Sequence, residues 1–166
     1  MKKLKITVKE LVATAKSQIE EFTASQVIQL LSDKNVVIVD IRDIRERQKL
    51  GFIPGSFHAP RGMLEFWIDP ESPYFKKIFS ADKKFILHCA AGWRSALSVQ
   101  TLNNMGFPTA HISDGFKGWV EADGPVEFYE SRQSEDTFSY QFFYLIPSSL
   151  SLYWIRKSRK TDRIEL

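Results

Sequence analysis

Apolar residues recur at three-to-four spacing across residues 5–22. Val8, Leu11, Val12, Ala15 and Ile19 share one side with Lys and Glu between them, which predicts an amphipathic helix. Thr23-Ala24-Ser25-Gln26 reads as a capping box that opens a second helix, with Val27, Ile28, Leu30 and Leu31 as its apolar side. The pattern then changes. Val36-Val37-Ile38-Val39 is an unbroken β-branched run closing on Asp40, as expected of a strand buried on both faces of a parallel sheet.

A short charged helix is expected over Ile41–Leu50, stopped by Gly51, and Gly51-Phe52-Ile53-Pro54-Gly55-Ser56 forms a turn leading to a short strand at Phe57-His58-Ala59. Met63–Ile68 predicts another helix, ended by Asp69-Pro70. Phe85-Ile86-Leu87-His88 is the next buried strand, followed by Cys89-Ala90-Ala91-Gly92-Trp93-Arg94-Ser95 and a periodic helix from Ala96 to Met105. Thr109–Ile112 predicts a further strand and Gly115–Glu121 a last helix. Strands alternating with helices imply an α/β fold with a parallel sheet and helices on both faces.

The 166 residues suit one domain, and a net charge of +3 is too small to suggest nucleic acid as a partner. The lone cysteine, Cys89, excludes an intrachain disulfide and any zinc site of several thiolates, and the three histidines have no metal-binding spacing. No metal or cofactor is expected. The first residues lack the apolar core of a secretory signal, and with a single thiol this favours a cytoplasmic setting.

After Gly124-Pro125 the composition shifts. Residues 137–155 carry no charge, and Arg156, Lys157, Arg159 and Lys160 follow. The stretch nearly has the length of a membrane span, but Pro147, four serines and Gln141 argue against one. The domain is therefore expected to end at residue 126. Residues 127–166 are read as an irregular tail, disordered or in contact with a membrane surface, and dispensable for fold and chemistry.

The chemistry concentrates at Cys89, between a buried strand and a helix. Backbone N–H groups at a helix N-terminus lack intrahelical acceptors and favour anions, and a cysteine there ionises more readily than a free one at about 8.5. Arg94, on the same loop, could hold an oxyanion. A buried structural cysteine would suit the same position, and position alone does not separate the two. Strand alternation turns His88 away from the thiol, and no role is assigned to His58 or His111. Asp40, at the carboxyl end of its strand, is expected near the mouth of the site; its alternative is to pair with Arg42 or Arg61 or to accept backbone N–H bonds.

Val39-Asp40-Ile41-Arg42, Glu46, Gly51–Ser56, the Cys89 loop and Asp114-Gly115-Phe116-Lys117-Gly118-Trp119 together resemble the rhodanese domain of single-domain bacterial sulfurtransferases, over about residues 24–126. The resemblance implies a five-stranded parallel sheet. It implies that the Cys89 thiolate takes a sulfane sulfur from a small sulfur-containing anion or a persulfide donor. The loop amides of Ala90, Ala91, Gly92, Trp93, Arg94 and Ser95 would hold that persulfide, which passes its outer sulfur to cyanide or a thiol. Arg61 would lie at the pocket rim. Two departures stand out: Phe52 where the family usually has His, and Ala90 where some thiosulfate-using members carry a basic residue, which argues against thiosulfate as the preferred donor.

Two other functions compete. Cysteine phosphatases place an arginine six positions after the nucleophile, whereas Arg94 is five after Cys89 and Ser95 occupies the sixth position. Rhodanese-like domains also serve as non-catalytic binding or regulatory modules, in which the cysteine is often absent; here it is present.

Overall fold

The structure, a computed structural model, describes residues 3–129. The expected tail lies outside the described residues from 130 onward. Five strands form one sheet: β1 (Glu20–Phe22), β2 (Val36–Asp40), β3 (Phe57–His58), β4 (Lys84–His88) and β5 (Thr109–Ile112). All pairings are parallel, in the order β1-β5-β4-β2-β3. The helices are α1 (Val8–Lys16), α2 (Ala24–Ile28), α3 (Ile44–Leu50), α4 (Leu64–Ile68), α5 (Trp93–Asn104) and α6 (Gly115–Glu121), with a 3₁₀ turn at Arg61–Met63 and another at Lys77–Ser80.

The unbroken apolar runs form the sheet centre because both faces are covered. On one face Val39, Phe85, Leu87 and Cys89 pack with Leu64 and Ile68 of α4 and Val99 and Leu102 of α5. On the other, Ile38, Ile86 and Ile112 pack with Val27 of α2 and Phe116 and Trp119 of α6. Each such fully buried large side chain contributes about 1.5–3 kcal/mol relative to exposure. The alternation continues past β4, so Cys89 faces α4 and α5 while His88 stacks on Phe116.

Four expectations need correction, one being that α5 starts at Trp93 rather than Ala96, so Trp93, Arg94 and Ser95 form its first turn. The first helix ends at Lys16, and Glu20–Phe22, expected to be helical, is the edge strand β1. Its pattern is polar because an edge strand leaves side chains in water. The third helix starts at Ile44 rather than Ile41, because the Asp43 carboxylate caps it by accepting from the Arg45 N–H. The domain also runs beyond residue 126. Phe52 and Glu127 exchange backbone hydrogen bonds of 2.8 and 2.9 Å, and the compact unit extends to Tyr129. The Phe52 ring lies 4.4 Å from the Arg47 guanidinium and 4.8 Å from the Tyr129 ring, and Arg47 Nε donates to the Tyr129 hydroxyl at 3.1 Å. Phe52, the departure from the usual histidine, is thus the anchor of the chain's return.

Candidate active site

Cys89 follows β4 directly and is 1% exposed. The loop after it is fixed from below: Phe116 N–H donates to the Cys89 carbonyl at 2.8 Å and Lys117 N–H to the Ala90 carbonyl at 2.9 Å. That approach requires a glycine at 115. Gly115 has φ of +65°, and a Cβ there would stand 2.7 Å from both Ala91 N and Cys89 O. With its carbonyls held, the loop presents its amides. Among the described residues, the N–H groups of Ala90, Ala91, Gly92, Trp93, Arg94 and Ser95 donate to no protein acceptor. Six free amide donors in succession beside one thiol offer a cradle for negative charge.

Arg94 is paired with Glu46 beside the loop and stays close enough to feel the Cys89 sulfur. Its Nη1 and Nη2 donate to Glu46 Oε2 and Oε1 at 2.7 and 2.8 Å, a bidentate pair that holds Arg94 above its usual value and Glu46 below its own. The Cys89 sulfur adds a smaller stabilisation of the guanidinium charge. Arg61 is exposed on its 3₁₀ turn, with its N–H donating to the Ile41 carbonyl at 3.3 Å; Ile41 N–H in turn donates to the His88 carbonyl. Arg61 therefore stands at the carboxyl ends of β2 and β4.

Asp40 lies beneath the opposite face. Its carboxylate accepts from Arg42 Nε and Nη2, from the Arg42 backbone N–H, and from Arg47 Nη1 at 3.3 Å. Burial alone would raise this carboxyl group, but the Arg42 hydrogen bonds and neighbouring charges outweigh it and hold it below the usual range. The Arg42 guanidinium sits 3.9 Å over the Phe116 ring, and its Nη1 has no hydrogen-bond partner among the described residues. His88, pushed down to about 4 chiefly by burial, is neutral at neutral pH.

A third group lies behind the thiol. Ser95 Oγ is 3.5 Å from Cys89 Sγ, 3.1 Å from the Gly92 carbonyl and 3.0 Å from His111 Nδ1. His111 Nε2 is 2.7 Å from Glu21 Oε1, and Glu21 pairs with Lys16 at 2.8 Å.

A family model described as the rhodanese-like domain matches residues 23–122, more than half the chain. The chain belongs to that family. It is 30% identical to the mouse thiosulfate sulfurtransferase/rhodanese-like domain-containing protein 3, over 61% of this chain and 69% of the relative. Identity with the thiosulfate sulfurtransferase GlpE of Glaesserella parasuis is 28%, over 64% and 92%. A solved structure from Rhodopseudomonas palustris, described as a protein of unknown function and possible tyrosine phosphatase, is 50% identical with a TM-score of 0.74, covering 76% of this chain and 98% of that one. The Pseudomonas aeruginosa thiosulfate sulfurtransferase structure is 26% identical with a TM-score of 0.58, covering 75% and 23%.

The structure brings Cys89, the loop amides and Arg94 together at one end of the sheet. Asp40 is corrected: it is fully buried and saturated by two arginines, so it does not line the site, and the pairing alternative holds for Arg42 and not for Arg61. The free oxyanion-holding role expected of Arg94 is also altered, since both terminal nitrogens are engaged by Glu46. Sequence reasoning missed Ser95 as a hydroxyl, His111 and Glu21. The available signal was strand alternation, which puts His111 on the same face as Cys89.

Proposed function

We propose that this protein is a rhodanese-type sulfurtransferase in which Cys89 carries the sulfur. The observation supporting this is the row of six amides directly after the thiol, Ala90 to Ser95, that donate to no acceptor among the described residues. In the loading step the Cys89 thiolate attacks the sulfane sulfur of the donor. The donor's S–S bond breaks, its electron pair leaves with sulfite or a thiolate, and a Cys89 persulfide anion remains. The amides stabilise that anion where it forms. A thiolate or cyanide then attacks the outer sulfur, and Cys89 leaves as the thiolate. The names of the mouse and Glaesserella relatives support the class of reaction. Ala90 supplies no cation beside the nucleophile, so a persulfide donor suits this loop better than thiosulfate. Arg61, exposed at the strand ends, is the side chain offered to an anionic donor.

Phosphoryl transfer is the second reading, raised by the description of the Rhodopseudomonas relative. It would need a guanidinium free to clamp phosphoryl oxygens. Arg94 is one position too early for the phosphatase spacing, and its two Nη groups are held by Glu46.

The test gives the purified protein thiosulfate and a low-molecular-weight persulfide, each with cyanide, and follows thiocyanate. Mass spectrometry in parallel follows the gain of one sulfur atom at Cys89. Persulfide formation, lost in Cys89→Ser while the fold persists, is expected. Hydrolysis of p-nitrophenyl phosphate without persulfide formation would overturn the reading in favour of the phosphatase; neither activity would leave a binding module.

A further inference from the structure

The hydrogen bonds behind the nucleophile run in one line from thiol to surface: Cys89 Sγ, Ser95 Oγ, His111 Nδ1, His111 Nε2, Glu21, Lys16. Three elements distant in sequence meet there, since β5 pairs with β1 in a register that sets Glu21 opposite His111. Neither His111 nor Glu21 reaches the cradle, and neither is needed to hold the loop, whose carbonyls are held from α6. We propose that Ser95, His111 and Glu21 form a proton relay that takes the Cys89 proton as the thiolate forms and holds it while sulfur is bound. This rests on the sulfur-carrier role of Cys89.

The Glu21 contact sets the tautomer of His111 and makes its Nδ1 one of three acceptors within reach of the Ser95 hydroxyl, with Cys89 Sγ and the Gly92 carbonyl. Glu21 is one-third exposed; burial alone would raise its carboxyl group, but hydrogen bonds from Lys16 and His111 outweigh this and keep it ionised. An ionised carboxylate 2.7 Å from Nε2 holds the ring proton there, so in neutral His111 Nδ1 is a bare acceptor for the Ser95 hydroxyl proton. Burial, the largest influence on His111, lowers it and favours this neutral form, while the Glu21 hydrogen bond and charge act in the other direction. The Ser95 oxygen then has lone pairs free for the thiol proton.

In the transfer, the Cys89 S–H bond breaks and its proton passes to Ser95 Oγ, as the Ser95 hydroxyl proton passes to His111 Nδ1. The products are a thiolate and an imidazolium, with no net change in charge or proton count. When the outer sulfur leaves, the proton returns by the same path. Ser95 touches the reacting sulfur; His111 and Glu21 are positioning residues that act through it. The charged and titratable groups facing His111 are Glu21 on β1, Lys16 on α1 through Glu21, Asp114 after β5, and Cys89.

The test reads ionisation without sulfur transfer. Cys89 is the only thiol, so the rate of iodoacetamide alkylation of the full chain against pH reports its ionisation directly. His111→Asn keeps an acceptor facing Ser95 but cannot take a proton, and Ser95→Ala breaks the path. Each is expected to raise the alkylation midpoint by about one pH unit, equivalent to a tenfold smaller thiolate fraction below it, and the double variant by no more than the larger single effect. Glu21→Gln, at the exposed end, moves it the same way by less and carries the test if His111→Asn does not fold. Reciprocally, capping Cys89 with iodoacetamide should lower the NMR titration midpoint of His111, because linked sites shift one another equally. An unchanged midpoint in the variants, or a His111 titration indifferent to the cap, overturns the relay. A chain that forms persulfide but shows no coupling keeps the sulfur-carrier reading and loses the relay; one that shows the coupling without persulfide keeps the relay as thiol activation and loses sulfur transfer.

Discussion

Two polar regions lie side by side at the carboxyl ends of β2 and β4, on opposite faces of the sheet. Around Asp40, two arginines and a backbone amide surround a single carboxylate that is fully buried. After Cys89, six successive amide donors find no acceptor among the described residues. The first region satisfies its charge internally and holds the turn between β2 and α3 in place. The second keeps its donors free for negative charge from outside the described residues. The carboxylate in the first region is held by its neighbours, whereas the donors in the second are left free.

Substitutions on either side should separate the two. The largest effect on stability is expected at Asp40. Asp40→Asn leaves the buried Arg42 and the nearly buried Arg47 without their counter-charge, which costs on the order of 3–5 kcal/mol. Denaturant unfolding measures this loss, while Cys89 in the still-folded fraction should alkylate at its original rate. Equal losses in both would mean that the two regions are one.

Gly115→Ala should do the reverse. Its left-handed backbone costs a side chain about 1–2 kcal/mol, and the new Cβ would push against Ala91 N and Cys89 O. Persulfide formation should fall by more than the tenfold that about 1.4 kcal/mol represents, with a smaller change in unfolding than Asp40→Asn gives. Persulfide formation at the original rate would show that the loop does not depend on its support from α6.

The smallest effect concerns the chain's return. A chain ending at Val126 loses the Phe52–Glu127 pairing and the Tyr129 contact with Arg47, whereas one ending at Tyr129 keeps both. The shorter chain should be less stable by about 1–2 kcal/mol, the worth of one or two hydrogen bonds and an aromatic contact. Equal melting temperatures would restore the boundary at 126.

Much of this was legible because the buried centre of a parallel sheet writes itself as continuous apolar runs. Val36–Val39 and Phe85–Leu87 could be recognised without any partner, Thr109–Ile112 followed from the alternation of strands and helices, and the Thr23 and Gly115 signals set the helices beside them. Glu20-Glu21-Phe22 could not. An edge strand of three residues, two of them exposed glutamates, resembles the end of a charged helix, and Ile19 continues the preceding apolar period. Losing β1 also hid the site's interior. Without Glu21 across from it, His111 had no visible partner, and without His111 the Ser95 hydroxyl was only one more loop residue. The Asp40 expectation failed for a different reason: the carboxyl end of a strand locates a crevice, but alternation decides which face a side chain enters, and it turned Asp40 with His88 toward Phe116.

The pairing of β1 with β5 joins the earliest-made strand to the last. Glu21 and His111 are 90 residues apart, so their contact closes a long loop. Cys89 and its loop lie between the two in the chain, and the α6 residues that hold the loop follow His111. In the proposed relay, the proton acceptor behind that thiol is assembled by the closing of the sheet itself, so ionisation of the sulfur is tied to the pairing of β1 with β5.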